Sequence, residues 1–430
     1  MKELYYKTLS VFRSIRSKII FYPTVFAVGG ILFAFLMMYI ENLGVSKYLL
    51  DTLPGLVVDN GDTALTILSA IITGLISMMV FSFSMVMLLL SQASSNYSPR
   101  LLPGLISNKS HQMILGVFLG TILYCIFVLF SIQPEEDKFS IPGFSVLLGI
   151  FFTVVCIYAF IFFIHNISEN IQISRILNRI YLEAKTTLQR LIEEQKDEVP
   201  EFPDSAHWNS YYTGNCGYLQ NVSIENLISI CREKDLKLHI LPVNGVFVLK
   251  GIPLFRASKE LDKETVDEII SNFHFSLGEL VQENYVLAFK QITEIIIKAM
   301  SPGINDPGTA INGIDYLTEL FYLRLQKNDT NIIERDGIHY IHVNTVGFEE
   351  LLYQVMASIR TYCKHDIILI QKLMLMFRYL KMKCESDIAK HQVIEQEAKT
   401  LVLDAQDSIT NERDLQVIAK LSKELNLYLQ

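Results

Sequence analysis

Charge is scarce in this sequence. Of its 430 residues only 19% are Asp, Glu, Lys or Arg, while 50% are hydrophobic and the mean hydropathy is +0.31, a balance that excludes an ordinary soluble chain. Glycine (21) and proline (12) are also few, which excludes collagen-like and low-complexity disordered chains. Basic residues are outnumbered, leaving a net charge of -8, and a basic nucleic-acid binder is excluded with them. Six cysteines (Cys125, Cys156, Cys216, Cys231, Cys363, Cys384) stand without C-x-x-C spacing, so reduced thiols are expected, with no disulfide frame and no zinc site. No nucleophile–base–acid set, metal cluster or Gly-rich fingerprint emerges. An enzyme is therefore the remote reading, and no cofactor is expected.

What is present is four charge-free runs, at 19–40, 63–90, 112–132 and 141–164. Each is long enough to cross hydrocarbon about 30 Å thick, which takes roughly 20 helical residues. Lys and Arg dominate 1–18 and 91–110, whereas acids dominate 41–62 and 133–140. By the positive-inside rule both termini are expected in the cytosol of a bacterium, with the spans in its inner membrane. Residues 1–18 read as a basic segment, either lying on the inner leaflet or solvated. Since the spans hold no Asp, Glu, Lys or Arg, a coupled pump or exchanger is disfavoured.

The second span carries a pattern of its own. At 100° per residue Thr66, Thr73, Ser77, Ser84, Ser91 and Ser95 fall within about 20° of one line, and the helical pattern continues to Ser95. Small hydroxyl residues permit close helix packing, or they line a narrow aqueous path in a homo-oligomer with Val80 and Leu88 as apolar interruptions. Tyr97 and Arg100 follow at the inner mouth, where Arg100 suits a lipid phosphate, an acidic helix or simply the inside-charge rule.

A connecting helix and polar linker are expected over 167–210. Residues 211–280 read as strand, helix and short strands, a small β-barrel-like or sandwich piece, with Ser223 as N-cap of a helix at 224–233. Residues 281–430 read as helical, with a hairpin at 331–343 turning on Asp336-Gly337 and long helices over 347–384, 386–407 and 412–429. His365-Asp366 would then lie inside a helix, pointing apart. His339 and His342 fall on opposite faces of a strand and do not chelate. Ser301, Gly303, Asn305, Asp306 and Thr309 form a loop at a helix start, with Asp306 as N-cap before Pro307. Such a loop serves as a cap or holds an anion, so a small anionic cytosolic ligand is a possible partner beside the lipid bilayer.

Three shorter runs and one longer one go further. The Ser82-Phe83-Ser84 triplet, Gln92-Ala-Ser-Ser-Asn-Tyr-Ser-Pro-Arg100, Phe118-Leu-Gly-Thr-Ile-Leu-Tyr124 and above all Ala299-Met-Ser-Pro-Gly-Ile-Asn-Asp-Pro-Gly-Thr-Ala310 resemble a bacterial family of predicted membrane proteins with a domain of unknown function. The resemblance implies the topology and contributes no reaction. The sequence therefore predicts a membrane α-helical protein: four transmembrane helices, then a C-terminal cytosolic α+β domain with a β-barrel-like piece and long helices. Its expected function is that of a homo-oligomeric, channel-like protein with a ligand-sensing domain, or else a non-conducting membrane scaffold or sensor.

Overall fold

A computed structural model describes residues 21–52, 58, 60–96, 109–132, 142–170, 172–195, 202–276, 284–329, 331–384 and 387–425. The basic segment 1–18 lies outside them. The chain divides into two compact units whose main boundary falls between Gln172 and Ile173.

The first unit contains α1 (Phe21–Asn42), α2 (Val45–Thr52), α3 (Gly61–Asn96), α4 (Lys109–Ser131) and α5 (Gly143–Asn170). Four of these, all but the short α2, are long and apolar enough to cross a membrane. Gly44, at φ +86°, ends α1, and its N–H returns to Glu41 O at 2.9 Å, a stop that favours glycine. Asn60 opens α3 by accepting from Thr63 N at 3.1 Å. Half of the apolar stretch of α4 is buried within the chain, while the other three spans leave most of theirs uncovered, so α4 is the central helix. Phe118, Tyr124, Cys125 and Val128 fill its contacts.

Two devices tie α4 and α5 to α1. Gly116 and Gly120, one turn apart on α4, lie against Phe26 and Gly30 of α1 so closely that a Cβ on Gly120 would stand 2.7 Å from Phe26 O. The other is Glu41, 8% exposed. Its carboxylate accepts from Ser145 N at 2.8 Å and Ser145 Oγ at 3.1 Å, and also from Ser46 Oγ at 2.5 Å. Ser46 Oγ in turn accepts from Phe144 N at 2.9 Å. Glu41 thus neutralises the positive end of α5 from the last turn of α1.

The second unit begins with α6 (Ile173–Glu194) and continues through β1 (Asn209–Tyr212), β2 (Gly217–Val222), α7 (Ile224–Lys234), β3 (Leu238–Ile240), β4 (Phe247–Val248), β5 (Pro253–Ala257), α8 (Lys263–Ser271) and β6 (Phe273–Ser276). Then follow α9 (Tyr285–Ala299), α10 (Pro307–Gln326), β7 (Asn331–Arg335), β8 (Ile338–Val343), α11 (Phe348–Cys363), α12 (Ile367–Lys383), α13 (Ile388–Ser408) and α14 (Glu412–Glu424). One sheet runs β1-β5-β3-β8-β7 and the other β4-β2-β6. Both are open, so the barrel-like piece expected from strand spacing is not a closed barrel. The reason is that β8 pairs with β3 in parallel, extending the sheet sideways with a hairpin drawn from beyond the α9–α10 pair. That hairpin turns on Asp336 (φ +55°) and Gly337 (φ +78°), as its two-residue loop requires.

One local reading is corrected. Residues 347–384 form two helices: Asp366 accepts from Ile368 N and Leu369 N, so His365-Asp366 sits in the break rather than inside a helix. Ser223 is the N-cap residue of α7 as expected, with its hydroxyl paired to His274 Nε2 at 3.0 Å rather than to the helix.

Candidate functional site

Along α3 one face is buried and the other is not. Ala64, Leu68 and Leu75 are buried, as is Ser82 with 0% exposure; the Ser82 hydroxyl has no hydrogen-bond partner among the described residues. Thr66, Thr73, Ser77, Ser84 and Ser91, on the far side, are exposed. Four of these hydroxyls donate to the carbonyl one turn back: Thr66 to Asp62 O and Thr73 to Ser69 O at 2.8 Å, Ser77 to Thr73 O and Ser84 to Val80 O at 2.9 Å. Their protons are thereby satisfied inside the helix, as apolar surroundings demand. What each presents outward is an oxygen with acceptor capacity left. Val80 and Leu88 are exposed among them at 57% each. Ser95 belongs to α3, and its side chain lies outside the description; so do Tyr97 and Arg100.

The loop before α10 is organised from within. Asp306 accepts from Thr309 N at 3.1 Å and from Thr309 Oγ1 at 2.5 Å, and these two bonds hold its carboxyl below the usual carboxylate range. Its own N–H reaches back to Ala299 O at 2.8 Å. Ser301 Oγ donates to Lys298 O at 2.7 Å, Gly303 is exposed, and Asn305 takes φ +50° to make the corner. The helix start is thus occupied by a carboxylate of the chain. Asp306→Ala should lower the melting temperature of the second unit by the worth of an N-cap, about 0.5–2 kcal/mol. An unchanged melt with loss of phosphate binding would reverse that assignment.

The family model described as predicted membrane protein (DUF2254) matches residues 16–379. The chain belongs to this family. Curated relatives include uncharacterized proteins of Mycobacterium bovis and of two strains of Mycobacterium tuberculosis, each 23% identical over 345 residues. These alignments cover 77% of this chain and 66% of the relatives, so the chain spans somewhat less than two thirds of their length. No solved structure matches it.

In this DUF2254 protein, sequence reasoning missed two groupings. The parallel register of β3 and β8 sets His239 opposite His342, their rings stacked with centroids 4.3 Å apart. His239 is held by Ser205 Oγ at 2.5 Å and by Asn344 Oδ1 at 2.8 Å. Burial, and then the charge of His239, push His342 below the ordinary imidazole value. No local signal announces this pair, since strand neighbours far apart in sequence carry no periodicity. The Gly116–Gly120 contact, also missed, had a signal that could have found it, G-x-x-x-G in an apolar run.

Proposed function

We propose that the protein is a homo-oligomeric, channel-like protein of the bacterial inner membrane, with both termini and the second unit on the cytosolic side and the second unit sensing a ligand. The observation that carries this reading is the outward hydroxyl face of α3, which no helix covers among the described residues. A row of acceptor oxygens running from Thr66 to Ser91 is better matched by another copy of α3 across a narrow wet path than by lipid. The absence of ionisable residues from the charge-free runs suits passive flow rather than coupled transport. Exposed apolar groups elsewhere, such as Leu32 and Phe35 of α1 and Phe151 and Ile161 of α5, suit lipid.

Placing Asp at Ser77 or Ser84 should shift the ion selectivity of reconstituted liposomes toward cations, because a ring of carboxylates sets the potential in a narrow path. On a packed interface the same carboxylate costs about 2.5–3.5 kcal/mol per chain on insertion scales. The oligomer then dissociates, and the scaffold reading replaces the channel. The orientation is checked in whole cells: cysteine at Asp59 or Glu136 should label from outside, and cysteine at Ser205 only after permeabilisation. Labelling of Ser205 in intact cells sinks the proposed topology.

A further inference from the structure

A cleft of about 820 Å³ opens within the second unit, between α6, the start of α9, the loop after α10, the β7–β8 pair and β2. Its volume falls inside the range of small-molecule sites, about 300–1,000 Å³. The lining is rich in amides drawn from separate elements: Gln220 and Asn221 of β2, Asn244 after β3, Asn284 before α9, Asn331 of β7 and Asn344 after β8. Several are fixed in place. Asn284 caps α9 through Val286 N at 3.1 Å and reaches Asn244 O at 3.3 Å. Asn344 is held between His239 Nε2 at 2.8 Å and Leu241 O at 2.9 Å. Amides anchored in this way present donors and acceptors at set positions, with little rotamer entropy left to lose on binding.

Among the described residues, the cations lining the cleft have carboxylate partners with one exception. Arg335 pairs with Glu225, Arg190 lies 3.9 Å from Glu194, and His339 lies 3.2 Å from Glu334. The exception is Lys327, only 7% exposed, whose Nζ donates to Asn328 O at 2.9 Å and which has no carboxylate within ion-pair distance among the described residues. The carboxylate nearest in sequence, Asp329, is engaged by Arg324 and by Phe348 N at 3.2 Å. Arg324, with 0% exposure, adds a second cation beneath: it donates to Lys327 O at 3.0 Å and to Val346 O at 2.8 Å. Two buried cations thus share one carboxylate, a local excess of positive charge that is costly to bury without a counter-ion. The amine responds accordingly, its pKa pushed down to about 8 by burial first and then by the charge of Arg324, with Asp329 partly opposing.

We propose that this cleft takes a small organic anion, its carboxylate or phosphate set against Lys327 and its hydroxyl and carbonyl groups read by the surrounding amides. The proposal rests on the ligand-sensing part of the function above and gives that ligand a place and a chemistry. A purely apolar ligand would strand the amides.

The test uses the full chain purified in detergent, titrated calorimetrically and by thermal shift with succinate, citrate, glucose 6-phosphate and adenosine monophosphate; inorganic phosphate and sulfate serve as controls for charge alone. At least one organic anion should bind saturably and raise the melting temperature more than either inorganic ion does. Its carboxylate or phosphate class identifies the group that Lys327 holds. Lys327→Met should weaken that binding by about 10- to 100-fold, the worth of one charged hydrogen bond, without lowering the ligand-free melt, because a buried ammonium is exchanged for an apolar side chain of similar length. Asn331→Ala should weaken it less. No binding by any of the four organic anions, a response equalled by inorganic phosphate, or wild-type affinity in Lys327→Met overturns the site. Binding is read without flux, so a protein that binds but does not conduct loses the channel and keeps the site, and one that conducts but binds none of them does the reverse.

Discussion

Gly120→Val is expected to break the packing of the membrane unit. The added carbons would meet the backbone of Phe26, whose carbonyl oxygen stands 2.7 Å from an ideal Cβ, and backbone cannot rotate aside as a side chain does. Overpacking of an ordinary core costs about 1–3 kcal/mol. Here α1 and α4 must separate along their whole contact, so the loss should reach or exceed the top of that range. Two controls isolate the cause. Gly29→Val points into open space and should be neutral, while Gly116→Val meets the Phe26 ring at 2.8 Å, a group able to yield in part, and should fall between. Melting in detergent, followed by circular dichroism, ranks the three. Equal stability of Gly120→Val and Gly29→Val would remove the close contact from the account.

The second large effect is expected in the other unit. Arg324→Met strips one buried guanidinium from three acceptors at once: Lys327 O, Val346 O and the Asp329 carboxylate. Breaking a buried charged network from one side costs about 3–5 kcal/mol, since the partners are left unsatisfied. Arg324→Lys should recover little of it, because an ammonium cannot span a forked set of acceptors. Trp208, the single tryptophan of the chain, sits in the second unit and reports its unfolding by fluorescence. A loss under about 1 kcal/mol would mean that the three acceptors find other donors.

The membrane half of the fold was written plainly in the sequence, because a charge-free run of twenty or more residues has few alternatives to a span. The Asp336-Gly337 turn and the Asp306 cap were legible for a similar reason: each depends on residues within four positions of one another. The misreadings all involve distance or competition. Strand β3 finds β8 across the whole α9–α10 helical pair, which no local spacing encodes, and so of the barrel-like and sandwich readings the closed barrel was the one that failed. The break before Ile367 contains neither Gly nor Pro, and apolar residues continue on both sides of it; only the Asp366 side chain decides that one helix stops and another starts. Ser223 does stand at the N-cap of α7, but its hydroxyl goes to His274 rather than to the helix. Lys327 gave no sign at all, since a lysine just past a helix end is ordinarily a solvated C-terminal charge.

The Glu41 contact has a mechanical meaning. With its carboxylate fastened to Ser145 and Ser46, and with glycine laid on backbone between α1 and α4, three of the membrane helices make a braced frame that cannot shear without breaking charged or backbone contacts. The remaining helix, α3, rests on that frame through side chains such as Leu68, which lies in the cluster with Tyr124 and Cys125. Dispersion contacts of this kind are worth only about 0.1–0.2 kcal/mol per atom pair and re-form after a small slide. Among the described residues, the longest helix of the unit is thus joined to the others through apolar side-chain packing, without the buried carboxylate or glycine-on-backbone ties that join α1, α4 and α5.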